Sequence, residues 1–250
     1  MEEFDFNEYE AERFSAKTYL DTFTIDLYNS FEPSADKEIE RLINEIDKLK
    51  SKYNKLDKKD ATGKTDQEIM DIEVDMHYCL IDIEYVKDEL WALIEMKIIY
   101  SFKFLEINIK KLIRTGFSET QTKDFYKWDS LNSFLKGKNI KPYKLKGFQE
   151  VTQIKDVNNS LKHSGEFNDE IKKRIPEFKD KGNISFYELD SFYSRVKDFP
   201  KIYLGELASA IQVELYEFNE QKIDEIADNI ACRMEKKDME KLIEAIKLRY

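Results

Sequence analysis

Residues 64–115 read KTDQEIMDIEVDMHYCLIDIEYVKDELWALIEMKIIYSFKFLEINIKKLIRT, and no glycine or proline interrupts the chain between Gly63 and Gly116. Nothing in this stretch stops a helix. If continuous it reaches roughly 75 Å at about 1.5 Å per residue, longer than a compact domain of this size needs, so part of it is expected to project. Its halves differ. From Ile69 the apolar positions step three-four-three-four through Ile72, Met76, Cys79, Ile83, Val86, Leu90 and Leu93, the narrow seam of a coiled coil. Beyond Leu90 the stripe broadens: Trp91, Ile94, Met96, Ile98, Ile99, Phe102, Leu105, Ile109, Leu112 and Ile113 cover too much circumference for one partner, which places this half inside a bundle.

A second seam precedes it, at Ile39, Leu42, Ile46, Leu49, Tyr53 and Leu56, behind the punctuation of Pro33, Ser34 and Asp36, either of the last two a plausible N-cap. Two matched seams joined by the polar loop at 60–66 predict an antiparallel hairpin, residues 35–58 against 67–90. With 7 Gly and 4 Pro in 250 residues there are too few turns for a strand-rich fold, and the class is all-α: a helical bundle carrying a long antiparallel coiled-coil hairpin. Residues 1–34 and 90–220 are expected to form the bundle, 35–89 the hairpin and 221–250 a helical extension of two short amphipathic pieces. The aromatics of the first segment (Phe4, Phe6, Tyr9, Phe14, Tyr19, Phe23, Tyr28, Phe31) argue for core. Further helices are expected at 122–135, 148–163, 185–198 and 200–218.

A net charge of −10 excludes a chain coated in nucleic acid, because phosphate binding needs an excess of Lys and Arg. One place runs against that trend. Between Lys136 and Lys146 stand five lysines, with Lys138, Lys141, Lys144 and Lys146 in the loop proper, and no acid, so an anion could dock there; a solvated loop is the simpler reading. The acidic start Met1-Glu2-Glu3-Phe4-Asp5 has no apolar signal core, and no run of eighteen apolar residues occurs, which predicts a cytoplasmic chain without a membrane span. Cys79 and Cys232, the only cysteines, read as reduced and structural.

The chemistry narrows to imidazole. His77 lies one step off the seam in a charged stretch and reads as a surface residue. His163 ends a helix whose stripe is Val151, Ile154, Val157 and Leu161; at 100° per residue it falls opposite that stripe, on the face of Asn159, in the last turn where a helix dipole is negative. Metal spacings such as Cys-x-x-Cys, His-Glu-x-x-His and paired Glu-x-x-His are missing, as are glycine-rich phosphate loops, so no metal or cofactor is expected.

The string Asn158-Asn159-Ser160-Leu161-Lys162-His163 resembles the motif of the HEPN superfamily, helical bundles of prokaryotic defence and toxin–antitoxin systems, many of them metal-independent ribonucleases. The family's His falls on His163 and its polar residue on Asn159, while Asn158 stands where the family has Arg. Glu106 and Lys110 match a Glu and a basic residue four apart on an earlier helix. The resemblance implies an altered, RNA- or nucleotide-facing site lined by His163, Asn159, Asn158 and Lys162 beside Glu106 and Lys110, an unsettled activity, and a homodimer. The Asn-x-x-Lys-His string is also similar to the Asn box of sensor histidine kinases, but the mixed sheet and the Asp-x-Gly-x-Gly loop of that fold are missing. The alternative is a non-enzymatic module whose hairpin holds a protein partner.

Overall fold

The computed structural model describes residues 6–21, 31–60, 63–117, 125, 127–163 and 166–248, without the side chains of 6–10, 12, 21, 31, 32 and 60. These residues form ten α-helices and no strand: α1 Phe6–Asp21, α2 Phe31–Asp60, α3 Asp66–Gly116, α4 Trp128–Gly137, α5 Phe148–His163, α6 Asp169–Arg174, α7 Phe186–Val196, α8 Phe199–Tyr216, α9 Glu220–Ala231 and α10 Lys236–Lys247. The all-α bundle follows, and none of the helices is long and apolar enough to cross a membrane.

The chain divides into two compact units, one of Thr24–Asn108 with Tyr143–Leu204 and one of Met1–Phe23, Ile109–Pro142 and Gly205–Tyr250. In the first, α2 and α3 run antiparallel. Lys97 of α3 meets Asp36 of α2, Nζ to Oδ1 at 2.5 Å, and Ile39, Leu42 and Ile46 share one core cluster with Val86, Leu90, Ile94 and Ile98. The predicted seam is the buried face of α3, with Ile72, Cys79, Ile83, Val86 and Leu90 all withdrawn from solvent. The same cluster takes Ile154 and Val157 from α5, Ile171 from α6, and Leu189, Phe192 and Val196 from α7. Apolar residues on five helices are thus satisfied by one another, which is why this unit is a bundle.

In the second unit the end of α3 buries Ile109, Leu112 and Ile113, α4 buries Leu131 and Leu135, and α8 buries Leu207 and Ile211. Phe134 is met edge-on by Phe117 and Phe125, with centroids 5.5 and 5.1 Å away. Gly116 is the last helical residue of α3 and has no left-handed φ. A Cβ built there would lie 2.5 Å from Ile211 Cγ2, so the glycine lets α8 approach and is more than a stop signal.

Some expectations are corrected. Phe14 is 72% exposed, so the aromatic content of α1 does not all point inward; Tyr19 is half-buried and Leu20 buried. Phe4, Phe23, Leu27 and Tyr28, with the side chains of Phe6, Tyr9 and Phe31, lie outside the described residues. α2 starts at Phe31, ahead of the expected cap, with Pro33 in its first turn, where a missing N–H leaves no hydrogen bond unmade. α4 starts at Trp128 because Lys127 before it is extended (φ −106°, ψ 137°). Cys79 is buried in the seam as expected, whereas Cys232 is exposed at the C-terminal cap of α9.

Candidate functional site

The final turns of α5 face away from the core, as the stripe requires. Val151, Ile154 and Val157 are buried while Asn159 and His163 are exposed on the other side. Four groups of this face (Asp156, Asn159, Ser160 and His163) form one wall of a hollow of about 450 Å³; Glu166, Phe167 and Asn168 of the connecting stretch, and Ile171 and Arg174 of α6, form the rest. Phe167 and Ile171 are buried members of the core cluster and give the hollow an apolar floor under a polar rim, the arrangement of small-ligand sites.

Local sequence explains how the second wall is held. Asn168 caps α6, its side chain accepting the N–H of Ile171 at 2.9 Å, and Asp169 and Glu170 fill the first turn while Lys172, Lys173 and Arg174 fill the last. The carbonyl of Arg174 accepts from buried Gln153 Nε2 at 3.0 Å. Gln153 Oε1 in turn accepts both Nη groups of Arg195 at 3.1 Å, and Arg195 clasps Glu177 through Nε to Oε1 at 2.6 Å and Nη2 to Oε2 at 2.9 Å. Burial alone would raise the Glu177 carboxyl, but the Arg195 hydrogen bond and charge hold it below the usual range. This network ties α5, α6 and α7 together and fixes the backbone from which Arg174 projects.

Arg174 is the cation of the hollow. Its Nη1 lies 3.0 Å from Asp156 Oδ2, and Asp156 also holds Lys155 Nζ at 3.1 Å. The same guanidinium lies 3.6 Å from Glu170. His163 makes no hydrogen bond or ion pair among the described residues. Asn158, one position behind Asn159, is 1% exposed; its Nδ2 donates to Asn159 Oδ1 at 3.2 Å and its Oδ1 has no partner among the described residues. Asn158 therefore supports Asn159 from inside and does not face the hollow.

Of the residues singled out in the sequence, the hollow brings together His163 and Asn159. Lys162 is exposed on the adjoining turn. Glu106 and Lys110 sit half-buried on α3, and neither lines the hollow. Among the loop lysines, Lys138 lies over the rings of Phe117 and Phe134, 5.0 and 5.7 Å from their centroids, while Lys141, Lys144 and Lys146 are exposed. His77 is exposed on the hairpin, as expected. Among the described residues no three His, Cys, Asp or Glu side chains converge on a metal position.

Arg174 and Asp156 were not singled out by sequence reasoning. The signal for Arg174 was legible in principle: Asn168 followed by two acids and then three bases before Pro176 writes a one-and-a-half-turn helix. Its return to α5 is a tertiary fact and was not. No family model, curated protein or solved structure matches this chain.

Proposed function

We propose that this chain is a HEPN-like helical protein of prokaryotic defence or toxin–antitoxin type, cytoplasmic and paired with a second copy, in which the hollow between α5 and α6 receives the phosphate backbone of RNA. The observation that carries this reading is the meeting of His163 and Asn159 with Arg174 in one hollow. The motif lacks its cation at Asn158, and α6 supplies one from another direction. A guanidinium offers paired donors to a phosphate, which an asparagine cannot replace.

The reaction this set supports is attack of a ribose 2′-hydroxyl on the neighbouring phosphorus. The P–O5′ bond breaks, a 2′,3′-cyclic phosphate forms, the 2′ proton leaves to water and His163 protonates the departing 5′ oxygen. Arg174 faces the charge growing on the non-bridging oxygens and Asn159 donates a hydrogen bond beside it. Asp156 competes for Arg174, so an incoming phosphate has to displace that carboxylate.

The test uses a labelled single-stranded RNA with the full chain. His163→Ala is expected to abolish cleavage and to weaken binding less than Arg174→Ala does, since it removes the proton donor but leaves the guanidinium that holds the phosphate. Arg174→Ala is expected to weaken binding by about tenfold, or roughly 1.4 kcal/mol, and Asp156→Asn to strengthen it. Binding that responds to neither Arg174→Ala nor Asp156→Asn overturns the reading.

A further inference from the structure

The hairpin half of α3 carries a second apolar stripe, on the side away from α2. Met70, Val74, Tyr78, Ile81 and Tyr85 recur at steps of four, four, three and four, and at 100° per residue they cluster about 150° from the mean direction of the buried seam. Met70, Val74, Tyr78 and Tyr85 are exposed, the two tyrosines by 61% and 66%, and Ile81 is half-buried. Isolated exposed apolar side chains are ordinary on a surface, but a stripe at helical spacing along four turns is what a partner helix packs against.

Both borders of this stripe are acidic. Asp71, Asp75, Asp82 and Glu89 follow one edge and Glu73 and Glu84 the other, while Asp88 closes the stripe beyond Tyr85 in line with Met70, all of them exposed. Lys87 is the only Lys or Arg between Asp66 and Glu95, and it is held by Glu84 at 2.6 Å. Glu73, Asp75, Asp82, Asp88 and Glu89 make no ion pair among the described residues. Carboxylates on both margins of an apolar stripe select cations on both margins of what packs on it. They also repel an identical face and an anionic lipid or nucleic-acid surface.

We infer that the outward face of α3 between Met70 and Tyr85 docks a basic amphipathic helix of a partner protein, its apolar residues packing on Tyr78 and Tyr85 and its Lys or Arg side chains pairing with the two carboxylate borders. This is independent of the hollow at His163, and RNA binding serves as the control for it.

The probe is a synthetic helical peptide of about 20 residues with Leu at i, i+3, i+4 and i+7 and Lys on both flanks. Glu-flanked and composition-matched scrambled peptides are its controls, titrated into the full chain by fluorescence anisotropy. Binding of the Lys peptide at least about tenfold tighter than either control is expected, weakening as salt rises. Tyr78→Ser with Tyr85→Ser should reduce it about tenfold or more, and Asp75→Asn with Asp82→Asn should lower it and flatten its salt dependence. These substitutions are on a solvent face, and circular dichroism checks that helix content stays unchanged. Equal affinity for all three peptides, no binding, or binding indifferent to the tyrosine substitutions overturns the inference. So does a concentration-dependent rise in mass, by light scattering, that the tyrosine substitutions remove, since that assigns the face to a second copy.

Discussion

Lys97 shows how one charged side chain is accommodated in a wall of isoleucines. It stands on the buried face of α3 between Ile94 and Ile98, is 5% exposed, reaches Asp36 and lies 4.6 Å over the ring of Tyr193. Asp190 shares the neighbourhood: burial raises its carboxyl above the ordinary range, Lys97 opposes that rise and Asp36 adds to it. Of this pair only the lysine is buried, since Asp36 is 53% exposed, so replacing the lysine by an apolar group of similar volume leaves Asp36 in water and costs little, whereas stranding the buried lysine costs much. Lys97→Met is therefore expected to change unfolding free energy by no more than about 1 kcal/mol at pH 7, while Asp36→Ala with Asp190→Asn lowers it by about 3 kcal/mol. Urea denaturation measures both, and a Lys97→Met loss as large as that of the double variant contradicts this account. The pH sign follows from Asp190. With its carboxyl raised in the folded state, the stability it contributes is present below the normal aspartate range and lost as pH rises through the elevated value, so Lys97→Met should gain relative to the native chain on acidification. The sequence held this signal, a lysine at a seam position; its partners come from α2 and α7 and were not written beside it.

At the scale of the element, α7 is fixed by its first turn. Glu188 accepts the backbone N–H of Ser185 at 2.9 Å and also its hydroxyl, and Lys181 adds an ion pair at 3.2 Å. The Ser185 hydroxyl is the main cause, outweighing burial, and the carboxyl is held at about 2 against an ordinary 4.5. A depressed carboxyl contributes stability that is present above the unfolded value and lost as pH falls toward the folded one, so the window here is pH 4.5 down to about 2. Glu188→Gln should cost about 1 kcal/mol at neutral pH, the size of a helix-cap loss, and should flatten the decline of stability across that window. Equal acid sensitivity of variant and native chain would falsify the assignment. Elements such as this one were the legible part of the sequence. Helix α5 from Phe148 to His163 and the hairpin of α2 and α3 follow from apolar spacing and from Gly and Pro punctuation, which are local. Where boundaries moved, at Phe31 and Trp128, the cause was a first-turn proline in one case and an extended residue in the other, neither of which spacing records.

At the scale of the whole molecule the sequence carries less, because both compact units are discontinuous. The unit that holds the hollow takes Thr24–Asn108 and Tyr143–Leu204, and its companion takes what precedes, separates and follows them. Two of the changes of unit fall inside helices, between Asn108 and Ile109 in α3 and between Leu204 and Gly205 in α8. No loop or composition shift marks them, so a reading that seeks boundaries in linkers has nothing to find. The same topology makes each half of the chain incomplete. A cut between Pro142 and Tyr143 leaves Leu90, Ile94 and Ile98 on one fragment and Ile154, Phe178 and Phe192 on the other, although all six belong to one core cluster. Each fragment then exposes apolar surface that only the other covers, and the lost burial exceeds the few kcal/mol by which a domain of this kind is stable. Fragments 1–142 and 143–250 are accordingly expected to lack a cooperative thermal transition when separate and to recover one, with native helix content, when mixed at equal concentration. Circular dichroism melts decide it: fragment 1–142 melting alone with the sharpness of the full chain would mean that α2 and α3 are stable without α5 and α7, and that the hollow between α5 and α6 is an attachment to a core it does not help to build.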